Sequence, residues 1–241
     1  MTLLTICQAV ADDIGLDVRP VSVVGNPDTD AQRLLRFAAR VGSDLASRAP
    51  WQALRLVHTF TAGGAETQAG AIPAGFLRFS PETLWDETNG LPITGQVGAT
   101  EYQARKYNLA SAGYAGPLRW FTRRADALLI WPVPPSGTVI SFAYQSGAFC
   151  QSAGGTPQAA WLADTDTGRI SEELITLGMI YRFLLADGQP FGQAQADYER
   201  RLALEITSDA PRARVLAAGD IFARRSVRFT GEPTSTGGRG F

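Results

Sequence analysis

The chain is 241 residues long, 45% hydrophobic and 19% charged, with a formal net charge of −1. That length and apolar content allow a core burying roughly 70–75% of the unfolded surface, and they exclude wholesale disorder. The near-neutral balance argues against bulk electrostatic binding of DNA or of an anionic membrane.

Leu3, Ile6, Val10 and Ile14 recur at helical spacing, and Gly15 follows as a stop, which predicts a first helix. Gly25-Asn26-Pro27 is a turn, after which Asp28 or Asp30 offers an N-cap. Leu34, Ala38, Val41 and Leu45 mark one face of a second helix, with Arg33, Arg36, Arg40 and Asp44 elsewhere around it and Pro50 as its stop. Both helices are too short to stand without packing.

From Trp51 to about Ala159 the period changes. Leu54, Leu56, His58 and Phe60 alternate with polar or small residues, as in a half-buried strand. Gly63-Gly64 and Gly70 mark loops, and Pro73 precedes the short apolar segment Phe76-Leu77-Arg78-Phe79. Thr100 to Asn108, polar with Tyr102 and Tyr107, reads as one short helix. Leu128 to Trp131 and Val139 to Tyr144 are the clearest strands. Pro132, Pro134, Pro135 and Gly137 between them are too proline-rich for a tight two-residue hairpin and suit a loop. The block reads as an antiparallel sheet module.

Helix returns near Ser171, where Ile170 before a Ser171 cap and Ile175 on the next turn make a hydrophobic staple. Glu172 and Glu173 suit the positive end of the helix dipole. Leu174, Leu177, Ile180, Tyr181 and Leu184 are expected to form its buried stripe. After the turn Asp187-Gly188-Gln189-Pro190, a last helix carries Ala194, Tyr198, Leu202 and Ile206 on one face and an Arg201–Glu205 pair at i,i+4 spacing. The expected fold class is therefore α+β: a bundle of about four helices from 1–50 and 160–210, an inserted antiparallel β-rich module at 51–159, and an extended C-terminal arm at 211–241.

The arm is the most unusual segment. Arg212, Arg214, Arg224, Arg225, Arg228 and Arg239 face only Asp220 and Glu232, and Thr234 to Gly238 has a linker's composition. Val215, Leu216, Ile221, Phe222, Val227 and Phe229 add apolar anchors that a linker does not need. The arm is thus expected to order against a neighbouring subunit or partner through Arg212, Arg214, Leu216, Ile221, Phe222, Arg224, Arg225, Arg228 and Phe229. Lys106 is the only lysine. That bias suits arginine-built interfaces, and a GC-rich genome produces it equally well.

The residues offer little catalytic chemistry. His58 is the only histidine and sits in a strand-like alternation, where a structural role is the ordinary one. Cys7 and Cys150 are the only cysteines, flanked by apolar residues, and read as buried hydrophobes in a reducing cytosol. No cofactor or metal is expected. Asp164-Thr165-Asp166-Thr167-Gly168 approaches a calcium loop, yet its Gly falls at position 5 and Glu173 at position 10, where 6 and 12 are required. A turn plus helix cap is the preferred reading. Glu82, Asp86 and Glu87 lie in a polar stretch and read as solvated. Trp85, Trp120, Trp131 and Trp161 with Phe121 suit core or interface packing better than a stacking platform for sugars or bases. Nucleophile-elbow, zinc-protease and phosphate-loop patterns are absent from the sequence. Its amino-terminal residues lack the pattern of a signal peptide, and no apolar run reaches the ~18 residues a membrane span needs, so a cytoplasmic protein with no membrane partner is expected.

Several segments, in order, resemble the head-to-tail adaptor proteins of tailed bacteriophages and gene transfer agents, also called head-completion or tubular A-type connector proteins. They are Thr2 to Leu16, Asp44 to Leu54, Leu129 to Gly137 with Val139 to Tyr144, and Trp161 to Thr167 followed by Glu172 to Gly178. The third is similar to that family's central hairpin, and the whole resemblance spans about residues 2–208. It implies a non-enzymatic virion protein of the neck, assembled in the host cytoplasm into a homo-oligomeric ring, usually a dodecamer. Its implied partners are the portal protein above and a tail tube, nozzle or tail-completion protein below, with DNA passing through the channel without specific binding. Helices would form the wall, the β module would face the tail, and the carboxyl-terminal segment would embrace the portal or a neighbour. Two alternatives stay open: a tail-side completion or stopper ring, and a carbohydrate- or host-binding module of the virion.

Overall fold

The computed structural model describes residues 1–111, 113, 116 and 118–209. Met1–Ala210 forms one compact unit, and the helices within it start and stop where local chemistry dictates. Helix α1 (Leu3–Ile14) is closed at its start by a reciprocal box: Thr5 N donates to Thr2 Oγ1 and Thr2 N donates to Thr5 Oγ1 at 2.7 Å. At its other end Gly15, at φ 70°, takes the left-handed conformation that lets its N–H reach the Ala11 carbonyl. Helix α2 (Thr29–Arg48) is capped by Asp28, whose carboxylate accepts from Ala31 N at 3.0 Å. Helix α3 (Ala99–Ser111) lies in the middle block, as expected there. Helices α4 (Glu172–Ala186) and α5 (Gly192–Asp209) complete the set.

α1, α2, α4 and α5 share one core, with Leu3, Ile6, Val10, Leu34, Val41, Leu45, Leu174 and Tyr198 among its buried side chains. Two glycines set its spacing. A Cβ on Gly42 would lie 2.3 Å from the Phe149 ring, and one on Gly178 would lie 2.7 Å from Val41 Cγ1, so only glycine lets these surfaces meet. Two expectations for α4 need correction. Ser171 occupies the N-cap, but its hydroxyl makes no capping bond; Glu172 instead holds the Met1 amino group at 2.5 Å. The buried stripe runs through Leu174, Ile175, Gly178, Met179 and Phe183, whereas Leu177, Ile180, Tyr181 and Leu184 are only half-buried. Ile170 and Ile175 are both in the core, as the staple requires.

The middle block contributes β1 (Arg55–Thr61), β2 (Thr67–Ala69), β3 (Phe76–Phe79), β4 (Trp85–Asp86), β5 (Leu91–Thr94), β6 (Arg119–Arg124), β7 (Ala127–Trp131) and β8 (Val139–Ser146). They form one curled sheet in the order β1-β8-β4-β5-β6-β7-β2, with β3 also pairing β8. All pairs are antiparallel but one: β5 runs parallel to β6, the chain crossing between them by way of α3, so the sheet is mixed. The hairpin implied for Leu129 to Tyr144 is also corrected. β7 pairs with β6 and β2, β8 with β1, β3 and β4, and the two do not pair with each other. Pro132, Pro134 and Pro135 between them have no N–H to donate, so that loop cannot zip the strands together.

The sheet has its own core of Phe121, Leu128, Ile130, Ile140, Phe142 and Tyr144, with Phe76 and Phe79 packed on it. Polar bonds seam it to the helical layer. Gln145 Nε2 donates to the Ala46 and Ala49 carbonyls at 2.8 and 2.6 Å, and Arg78 Nη2 donates to the Ser47 carbonyl at 2.8 Å. Three short strands, β9 (Cys150–Gln151), β10 (Pro157–Gln158) and β11 (Thr167–Gly168), form a second small sheet before α4.

Candidate partner-binding surfaces

The histidine and both cysteines are packed into the frame. His58 is half-buried on β1, its ring 5.5 Å from Phe142 and 6.4 Å from Phe60, and its buried Nε2 has no hydrogen-bond partner. It is a ring packed against other rings. Cys7 and Cys150 are fully buried. Burial pushes both thiols up to about 12, helped by Asp164 at Cys7 and by Asp166 at Cys150. Such thiols stay protonated near neutrality and are poor nucleophiles.

The carboxylates of the calcium-like string tie loops together. Asp164 accepts from Val24 N at 2.8 Å and Val23 N at 3.0 Å, and Asp166 accepts from Leu162 N and Ala163 N at 2.7 and 2.9 Å. This is the turn reading of that segment, with both acids committed to backbone amides. Of the three acids read as solvated, Glu82 and Glu87 are exposed but Asp86 is not. Asp86 is fully buried, paired with Arg119 and accepting from Asn89 N and Nδ2 at 2.9 and 2.8 Å. The sequence conceals this because Arg119 lies 33 positions away and meets Asp86 only once β4, β5 and β6 are assembled.

The tryptophans pack. Trp161 sits in the helical core edge-on to Phe149, Phe121 is in the sheet core, and half-buried Trp120 and Trp131 stack on each other at 6.4 Å. Only Trp85 presents a large open face, at 43% exposed.

The predicted interface residues Arg212, Arg214, Leu216, Ile221, Phe222, Arg224, Arg225, Arg228 and Phe229 lie outside the described residues. Within them, two helix faces stand out. α4 is apolar almost all the way round, a pattern proper to a fully buried helix, yet Leu177, Ile180 and Leu184 remain half-buried and Leu185 is 48% exposed. A groove of about 550 Å³ runs beside this face, lined by Ala9 and Asp13 of α1 and by Glu173, Leu177 and Ile180 of α4. The outward face of α2 carries Arg36 and Arg40, with half-buried Phe37 and Ala39 beside them. Both faces were legible as residues; that they stay uncovered was not, because periodicity reports a stripe and not what covers it.

The family model of the SU10 adaptor protein matches residues 1–221, the whole described fold and the beginning of the arm. The chain belongs to the SU10 adaptor protein family. This adaptor is therefore a structural phage protein, of a family that is not enzymatic. No curated protein matches it. Among the described residues of the adaptor, no helix is long and apolar enough to cross a membrane.

Proposed function

We propose that this adaptor is a ring-forming subunit of the virion neck, which docks beneath the portal, extends the DNA channel and offers the platform for the tail. The observation that carries the reading is the reach of the family match, which continues past α5 to residue 221 and so takes in Arg212, Arg214, Leu216 and Ile221 of the arm. An arm of that composition, leaving a folded unit that ends with α5, suits a segment that orders on docking. Residues 1–50 and 160–210 make the ring wall, 51–159 the tail-side module, and 211–241 the arm. Arg212, Arg214, Leu216, Ile221, Phe222, Arg224, Arg225, Arg228 and Phe229 seat on the portal or on a neighbouring subunit. The net charge of −1 suits a channel through which DNA slides without being gripped. The ring is of the dodecameric kind, and its tail-side partner is a tube, nozzle or completion protein.

The test is electron-microscope class averaging of the full chain, and of a chain truncated after Asp209, each mixed with the portal protein of the same genome. The reading expects extra ring density on the narrow end of the portal with the full chain and bare portals with the truncated one. Bare portals with both would overturn it.

A further inference from the structure

We infer that neighbouring copies of this chain meet head to tail through two opposite flanks of the helical layer. The arginine face of α2 on one copy enters the acidic-rimmed apolar groove between α1 and α4 on the next. The inference rests on the ring reading for its context, and on the following observations for its residues.

The groove needs a cover. α4 has one face turned away from the core, on which Leu177 and Ile180 lie beside Thr176 and Glu173, and covering that apolar area removes it from water. Ile175 and Gly178 face inward, Gly178 against Val41 of α2 and Tyr198 of α5. At 100° per residue, Leu177 and Ile180 then point outward, and both line the groove. Its rim is acidic. Among the described residues Asp13 makes no ion pair, and Glu173 pairs with Arg201, which also serves Glu205.

The complementary surface is on the far side of α2. Leu34, Ala38, Val41 and Leu45 are buried toward α4 and the core, so Arg36 and Arg40 project the opposite way. Both are exposed. Arg36 bonds Gln32, at 3.4 Å, and among the described residues neither Arg36 nor Arg40 makes an ion pair. Half-buried Phe37 and Ala39 beside them supply apolar area. An arginine fits this groove in both its parts. Its methylene stem lies along Leu177 and Ile180 while its guanidinium reaches the carboxylates of Asp13 and Glu173.

Two different, complementary surfaces on opposite flanks make a heterologous contact, the kind that closes into rings; an isologous dimer would use one surface twice. The occupant is thus a second copy of this chain. Charge complementarity between the two flanks argues for it over a foreign partner, which would explain one flank and leave the other bare.

The test is a charge swap in the full-length protein, read by native mass spectrometry and sedimentation velocity, and by ring density on the portal where assembly needs it. Arg36→Glu/Arg40→Glu makes both flanks acidic, and Asp13→Arg/Glu173→Arg makes both basic. Each variant alone should lose self-association at least tenfold while keeping its circular-dichroism melt. An equimolar mixture of the two should recover it, with the variants alternating, and so should the four substitutions in one chain. Self-association unchanged in either variant, or no recovery on mixing, would overturn the inference, and rings still seated on the portal would then leave the adaptor reading standing. Recovery on mixing without any density on the portal would uphold the flank contact and refute the adaptor reading.

Discussion

The helical layer buries an apolar cluster, aliphatic side chains such as Leu3, Ile6, Leu34, Leu45 and Leu174 beside the rings of Phe149, Trp161 and Tyr198, whereas the sheet interleaves aromatic rings with buried polar groups. Asp86, Gln68, Gln145, Ser141 and Ser146 are all buried on or beside strands. Each of the three largest is held by named partners: Asp86 by Arg119 and Asn89, Gln68 by Gly63 and Ala65, Gln145 by Ala46, Ala49 and Arg78. The difference has a physical cause. Apart from its end groups a helix satisfies its own backbone, so its flanks ask their neighbours mainly for apolar surface. Strands as short as β4 and β5 satisfy little by themselves, so side-chain bonds must fix where they lie.

The largest test of that comparison is at Asp86. Asp86→Ala leaves the Arg119 guanidinium buried, with its Nε already unpartnered. It should reduce unfolding free energy by about 3–5 kcal/mol in urea titration. The double variant Asp86→Leu/Arg119→Met should recover most of that stability, because replacing both members with apolar groups leaves no orphan charge. A double variant as unstable as the single one would mean that the pair is needed for more than its own compensation. In the helical layer, Leu174→Ala should cost about 2–5 kcal/mol through lost transfer energy and the cavity left behind. No second substitution in a polar partner should rescue it, since Leu174 has none.

Smaller effects follow from close approach and from titration. Gly178→Ala gains helix propensity but sets a methyl 2.7 Å from Val41 Cγ1, so it should lower stability by about 1 kcal/mol, and adding Val41→Ala should remove the clash term. The buried thiols give the smallest and most local effect. Cys7 and Cys150 have pKa values pushed up to about 12 from the ordinary 9.0. The unfolded chain therefore loses these protons first as pH rises. Their contribution is complete below pH 9 and declines from there toward pH 12. A Cys7→Ala/Cys150→Ala variant should show a flatter alkaline limb in its stability profile than the parent, and thiol reagents at pH 8 should label the parent only after unfolding.

Legibility followed the same divide. The helices were readable because cap, stripe and stop are written within a few residues: Thr2 with Thr5 and Gly15 for α1, Asp28 and Leu34 to Leu45 for α2. The sheet was readable strand by strand but not in its pairing, which depends on long-range partners. β1 finds β8 some eighty residues on, and the parallel β5–β6 contact spans the whole of α3. The same blindness made Asp86 look solvated and took β7 and β8 for a hairpin. The partner surfaces were half legible. The arm announces itself by its arginines, and the α2 arginines were visible, but the uncovered face of α4 was hidden because Leu177 and Ile180 fit a buried stripe as well as an open one.

The most direct test of the central claim is a cryo-electron-microscope reconstruction of the virion's head-to-tail junction. The account predicts a ring of this fold seated directly beneath the portal, helical layers packed side by side with α2 of each copy against α1 and α4 of the next, and arms reaching the portal or a neighbour. Density for this chain further down the tail without portal contact, or on a peripheral fibre, would contradict it and favour a tail-side completion ring or a host-binding module.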